Sequence, residues 1–177
     1  PDELPDDYDS SNPTSPGLIE DLDDDADGIP DTNETDTGSY VNESDTGTSP
    51  TNPDSDADGM CDGPNAVSSV CTAGPDAFPL DPAGDTDTDG DGKPDVLKPG
   101  IDSTSVPPLE EDLDDDGDGW EDVNETGTNV YVDETDTGTD SSNPDTDGDG
   151  ICDGPLAVPG ICGAGPDDRP FGEPFDG

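Results

Sequence analysis

Apolar positions are few and isolated along this chain. Leu4, Leu18, Ile19 and a thin scatter of similar residues are the candidates for a core. Pro and Gly punctuate almost every ten residues, which forbids long helices. Ser39-Tyr40-Val41 and Val130-Tyr131-Val132 are short β-branched or aromatic runs that predict small strands or hairpins. Leu18–Leu22 and Leu109–Leu113 predict one helical turn each, leading into acidic segments. Everything else reads as ordered loop.

These loops repeat. Leu18-Ile-Glu-Asp-Leu-Asp-Asp-Asp-Ala-Asp-Gly28 aligns without gaps on Leu109-Glu-Glu-Asp-Leu-Asp-Asp-Asp-Gly-Asp-Gly119. The same shift of about 91 residues carries Asn33-Glu-Thr35 onto Asn124-Glu-Thr126, Tyr40-Val41 onto Tyr131-Val132 and Cys61 onto Cys152. It also carries Ala73-Gly-Pro-Asp76 onto Ala164-Gly-Pro-Asp167. Most aligned positions are identical, which reads as tandem duplication: a tail or linker at 1–17, a first repeat at 18–108 and a second at 109–177. The first repeat carries three acidic loops. The second carries two and stops at Phe171–Gly177, where the third would begin. The chain therefore reads as a slice of a longer array, continued in the same polypeptide or completed head to tail by a neighbouring copy.

Composition sharpens the problem. The formal net charge is −47 on 177 residues, with three Lys+Arg and no His. Leu, Ile, Val and Phe make up about a seventh of the chain, below the roughly 20% at which an acidic sequence stays disordered. Ordering a residue costs about 1–2 kcal/mol, and so little apolar surface does not offset it. Either the chain is an acidic disordered tail, or a multivalent cation supplies the missing stabilisation. Such regular register argues for the cation. Phosphates would be repelled, which excludes nucleic acid as a partner. No apolar run approaches the roughly 18 residues of a membrane span.

The spacing of the aspartates names the cation. Calcium takes six to eight oxygens, and a twelve-residue loop supplies them. Acidic side chains stand at positions 1, 3, 5 and 9, a Gly at 6 makes the turn, a carbonyl serves at 7, and a bidentate Glu at 12. Asp23, Asp25, Asp27, the Ile29 carbonyl, Asp31 and Glu34 fill that template, and so do Asp114, Asp116, Asp118, the Trp120 carbonyl, Asp122 and Glu125. Three further loops lack the final Glu. They are Asp54, Asp56, Asp58, Met60 and Asp62; Asp87, Asp89, Asp91, Lys93 and Asp95; and Asp145, Asp147, Asp149, Ile151 and Asp153, with the position-7 residues acting through their carbonyls. Asn65, Lys98 and Leu156 hold position 12 in these, so each shell needs a distant carboxylate, a water or a neighbouring motif. Asp21, Asp85 and Asp112 stand two residues before their loops and suit ions that share ligands. At least about five calcium ions are expected. Magnesium is disfavoured, because it wants a small octahedral shell and keeps its waters.

A paired EF-hand does not fit: Pro30 and Pro94 at position 8 have no N–H for pairing loops, and Gly- and Pro-rich stretches replace the flanking helices. Asp85-Thr-Asp-Thr-Asp-Gly-Asp-Gly-Lys-Pro-Asp95, Asp76-Ala-Phe-Pro-Leu-Asp-Pro82 and Gly47-Thr-Ser-Pro-Thr-Asn-Pro-Asp54 carry a different likeness. With them, most of the chain resembles the thrombospondin type 3 repeat and its looser prokaryotic relatives. That resemblance implies a mostly irregular, calcium-stabilised rod in an extracellular stalk, matrix or cell-surface protein. The cysteines depart from the family's placement, since each pair closes its own short loop.

Cys61/Cys71 and Cys152/Cys162 lack the C-x-x-C spacing or histidines of a zinc site and are expected as disulfides in an oxidising compartment. A redox-active pair would need a cation or helix start beside the thiol, and neither is evident. Asn33, Asn42 and Asn124 head glycosylation sequons, so glycans are candidate partners or modifications. Paired carboxylates imitate a glycosidase site, but calcium must consume most of them, and the bases Lys93, Lys98 and Arg169 are scattered. The expected function is a non-catalytic, calcium-binding structural segment of an extracellular or cell-surface stalk or fibril, associating with further copies of itself. The alternative is a calcium-dependent adhesion module for glycans or a partner protein. An exposed aromatic cluster or an open coordination position would favour it, and Trp120, the single tryptophan, is expected to cover its own loop.

Overall fold

A computed structural model describes residues 21–172. The described residues divide into two compact units, one running to Thr86 and taking in Leu97–Leu109, the other of Asp87–Val96 with the described residues from Glu110 onward. The acidic loop at 87–95, counted with the first repeat by sequence register, thus belongs to the second unit. Regular secondary structure among the described residues is limited to two 3-10 turns, Asp31–Asn33 and Asp122–Asn124, and a few isolated bridges. The tail at 1–17 lies outside the described residues, as does most of the predicted turn at Leu18–Leu22.

The helical turn expected at Leu109–Leu113 does not form. Asp112 gives its own N–H to the Pro94 carbonyl (2.9 Å) and turns its carboxylate onto the amides of Leu113 (2.7 Å) and Asp114 (3.3 Å). Those side-chain bonds offer the backbone an alternative to a helical turn. The runs at 39–41 and 130–132 do not form strands either. Each is one arm of an irregular hairpin: Asp36 N–H bonds Thr48 O, Gly38 bonds Gly47, and Val41 bonds Asp45, with the turn closed by the Asn42–Asp45 bridge. The second hairpin repeats this with Gly127 on Thr139, Asn129 on Gly138 and Val132 on Asp136.

Both predicted disulfides are present, Cys61–Cys71 and Cys152–Cys162. With Ala83 and the prolines Pro53, Pro79, Pro94, Pro144 and Pro170 they are the buried apolar residues of the described chain, while Asp27, Asp116, Asp118, Thr48, Thr137 and Thr139 are at most 2% exposed. The interior is polar. Each disulfide anchors its loop beside an acidic one: Cys61 N–H bonds Thr72 O, Thr72 N–H bonds Gly59 O, and Asp76 N–H bonds Cys61 O. In the first unit, residues 98–105 are pinned back by Lys98 N–H on Ala83 O and by Asp81. That carboxylate accepts the Ser103 hydroxyl and the amides of Thr104 and Ser105.

Candidate metal centres

All five acidic loops share one internal wiring. The position-1 carboxylate accepts the N–H of the position-6 glycine: Asp23 from Gly28, Asp54 from Gly59, Asp87 from Gly92, Asp114 from Gly119 and Asp145 from Gly150. Position 3 accepts the N–H of position 5, and position 5 that of position 7, as Asp25, Asp27 and Ile29 illustrate. Each glycine at position 6 has φ between 90° and 101°, a backbone closed to most side chains. Position 4 is left-handed too, and it is Ala26 and Ala57 in two loops. The result aims three carboxylates at one centre, and Asp23/Asp25/Asp27, Asp54/Asp56/Asp58, Asp87/Asp89/Asp91 and Asp114/Asp116/Asp118 each bring oxygens within 4.8 Å of one another.

Position 9 behaves differently from the sequence template. Its carboxylate accepts the N–H of position 2, tying the end of each loop to its start: Asp31 from Asp24, Asp62 from Ser55, Asp95 from Thr88, Asp122 from Asp115 and Asp153 from Thr146. Asp62 has a second task. It lies with Asp27 and Glu34 in a fully buried carboxylate triad that joins the first loop to the next. The same join is made by Asp27, whose Oδ2 accepts Gly63 N–H at 2.7 Å and whose carbonyl accepts Asn65 N–H at 2.7 Å. A Cβ at Gly63 would stand 2.5 Å from the Asp27 carbonyl oxygen, so only glycine permits the approach. Asp118 repeats it on Gly154 and Leu156.

The Glu at position 12 is delivered by the 3-10 turn. After Asp31–Asn33 the chain leaves at Glu34 in an extended conformation, and after Asp122–Asn124 at Glu125 with φ −100°. Two threonines then orient each glutamate. Thr46 and Thr48 hydroxyls are 2.6 Å apart, and Thr48 donates to Glu34 Oε1 at 3.1 Å. With one proton per hydroxyl, the relay runs Thr46 to Thr48 to Glu34, the Asn33 carbonyl being served by the Thr46 N–H. Thr137, Thr139 and Glu125 reproduce it at 2.6 and 2.8 Å.

Many of these carboxylate oxygens have no partner within the protein. Eleven buried side-chain oxygens among the described residues have no hydrogen-bond partner, and all are carboxylate oxygens. They include Asp25 Oδ2, Glu34 Oε2, Asp116 Oδ2, Glu125 Oε2 and Asp153 Oδ1. Burial, then the neighbouring Asp27, pushes Asp25 up to about 7; burial, then Asp25 and Asp27, pushes Glu34 up to about 8. Burial drives Asp116 to about 8 and Glu125 to about 9, with Asp118 and Asp116 respectively as the strongest repelling charges. Burying a charge without a partner costs several kcal/mol, so this interior holds either protons or metal. The donors are all hard oxygens, which fits calcium and not a thiolate- or imidazole-seeking metal.

Three acidic residues with buried, unpartnered oxygens were not among the sequence candidates. Asp76 is 6% exposed, its Oδ2 is unpartnered, and burial with Asp58 and Asp56 pushes it up to about 8. Asp76 thus stands against the loop whose position 12 is Asn65. Asp167, with Oδ2 unpartnered, repels Asp147 in the loop whose position 12 is Leu156. The repeated Ala-Gly-Pro-Asp block after each second cysteine was the signal available in the sequence. Asp115, at position 2 of its loop, also has a buried unpartnered oxygen; burial, then Asp122 and Asp95, pushes it up to about 7.

The loop at 87–95 is the most open. Asp89 and Asp91 are exposed, and the Lys93 ammonium sits 2.6 Å from Asp91 and 3.1 Å from Asp112. Lys98 pairs with Asp58 and, at 3.1 Å, with Asp85. Asp21 caps the amides of Leu22 and Asp23, as Asp112 does in the second repeat. Of the sequon asparagines, Asn33 and Asn124 lie in the 3-10 turns, and the Asn33 amide donates to the Glu43 carbonyl, while Asn42 is exposed. Comparison with protein-family models, curated proteins and solved structures finds no match to the chain.

Proposed function

We propose that this chain is a non-catalytic calcium-binding structural segment, of the thrombospondin type 3-like kind, from an extracellular or cell-surface stalk or fibril. The observation that carries the reading is the set of buried, unpartnered carboxylate oxygens converging in triads, with too little apolar core to hold them there. In each unit, one ion sits in the triad of the Glu-ended loop, Asp23/Asp25/Asp27 or Asp114/Asp116/Asp118. A second is shared between Glu34 and Asp62, or Glu125 and Asp153, and cross-links that loop to its neighbour. Asp76 and Asp167 close the shells of the loops beginning at Asp54 and Asp145, and the carbonyls of Ile29, Met60, Lys93, Trp120 and Ile151 complete the oxygen sets. Calcium acts as the core of each unit, and the disulfides lower the entropy of the unfolded chain. Two disulfides fit an oxidising compartment. Dialysis of the full chain against chelator, followed by calorimetric titration, tests the reading. Uptake of several calcium ions per chain is expected, with millimolar magnesium unable to replace them. No calcium uptake, or equal uptake of magnesium, would sink it.

A further inference from the structure

Each unit carries a cup, built at equivalent positions beside its calcium ligands, whose tyrosine and glutamate (Tyr40 and Glu43, Tyr131 and Glu134) the calcium sites do not use. In the second unit a cavity of about 270 Å³ is lined by Trp120, Tyr131, Pro166 and Pro170 with Glu134 and Asp168 among its acidic groups. In the first, a cavity of about 200 Å³ is lined by Tyr40, Glu43, Pro75 and Pro79, with Ile29 where Trp120 stands. Both are smaller than the roughly 300–1,000 Å³ of a typical small-molecule site, a size for one side chain and not for an extended ligand. Tyr40 and Tyr131 are 51% and 49% exposed, too open to be core residues, and Glu43 and Glu134 are exposed as well. Trp120 is held in place by its indole N–H on the Asp153 carbonyl at 3.0 Å.

Aromatic faces beside carboxylates attract a desolvated cation twice over, through the ring quadrupole and through charge. Ion loading does not reverse the sign. Asp153 and Asp167 also line the second cup, and the two loops there carry more carboxylates than the three calcium ions assigned to them neutralise. The whole chain, at net charge −47, draws a cationic partner and repels an anionic one. A second copy is a poor source of that cation. Lys93 and Lys98 are already ion-paired within their units, and Arg169 lies between two residues of a cup.

We propose that each cup receives a lysine or arginine side chain presented by a basic partner polypeptide. This docking site rests on the calcium reading above, which keeps the cup walls folded. Trp120, the single tryptophan, makes the second cup self-reporting. The calcium-loaded full chain is titrated with N-acetyl-lysine methylamide and with N-acetyl-arginine methylamide at constant ionic strength, following Trp120 fluorescence. A saturable change is expected, weakened at least fivefold by E134Q and by Y131A while calorimetric calcium uptake stays unchanged. Both residues are exposed, so neither variant should unfold the unit. A response no larger than that of matched sodium chloride, or one insensitive to both substitutions, overturns the proposal. So does saturation by neutral methyl glycosides in place of the cationic probes, which would make the cups sugar sites. Loss of calcium uptake in the unmodified chain would instead count against the calcium reading, and the two failures are thereby told apart.

Discussion

Asp76 has no metal-ligand spacing in its own neighbourhood, standing in a Gly-Pro-Asp segment after the second cysteine of its pair. Its role emerges only when the Cys61–Cys71 loop folds it against Asp56 and Asp58, which is why spacing arguments passed over it. Asp76→Asn is expected to weaken one calcium site about tenfold or more, equivalent to about 1.4 kcal/mol. The exposed Asp36→Asn should leave every site unchanged, and calorimetric titration of both variants checks this. An unchanged Asp76→Asn isotherm would remove that residue from the shell. Backbone conformation gives a second residue-scale expectation, with opposite signs two positions apart. Gly59 at φ 101° should resist Gly59→Ala, which costs about 1–2 kcal/mol, whereas Ala57 at φ 64° is strained and Ala57→Gly should be neutral or mildly stabilising. Thermal melts in calcium that fell equally for both would refute the assignment.

Within each loop, the positions 1, 3, 5 and 6 behave as their spacing implies, because short-range bonds between carboxylates and nearby amides determine them. Between loops, prediction from spacing stops. Asp62 serving Glu34, and Gly63 closing on Asp27, depend on contacts 28 to 36 residues apart that no local pattern encodes. Leu109–Leu113 is irregular for a similar reason, since Pro94 captures the Asp112 amide. The loop at 87–95 yields an expectation of its own. Lys93→Ala frees Asp91 and Asp112 from the ammonium and, on the calcium reading, should tighten binding at this loop severalfold. A weaker site in that variant would show that the lysine supports the loop instead of competing for it. Proton competition sets the pH dependence. Without metal, Asp25, Glu34, Asp76, Asp116 and Glu125 hold protons more tightly folded than unfolded, where the ordinary values are 3.8 for Asp and 4.5 for Glu. Their contribution is therefore full below about pH 4 and lost as pH rises through about 7 to 9. Chelated protein, unfolded at neutral pH, should regain structure with a melting transition at pH 5 and show none at pH 9. In calcium the order of stability should reverse, because protons displace the ion. Melting curves in the two buffers would contradict this if the order were the same in both.

At the scale of the molecule, charge dominates. Fifty acidic residues stand against three basic ones, with buried carboxylates in place of an apolar core, and on the proposed reading metal binding supplies most of the folding free energy. The composition, the loops and the disulfide partners were all legible in the sequence. The grouping of the 87–95 loop with the second unit was not, because sequence register counts loops by ancestry while folding groups them by contact. Extracellular-type loops bind calcium at about 10⁻⁴–10⁻³ M, and at a hundredfold excess one site contributes about 2.7 kcal/mol, so several sites supply the stability of a small domain. The most direct test is backbone hydrogen exchange of the full chain, with calcium and with chelator, read at the amides that join neighbouring loops: Gly63, Asn65, Gly154 and Leu156. In calcium these four should exchange slowly, and in chelator at neutral pH they should exchange at the rate of an unfolded chain. Equal protection in both conditions would show that the fold stands without metal and would contradict the account.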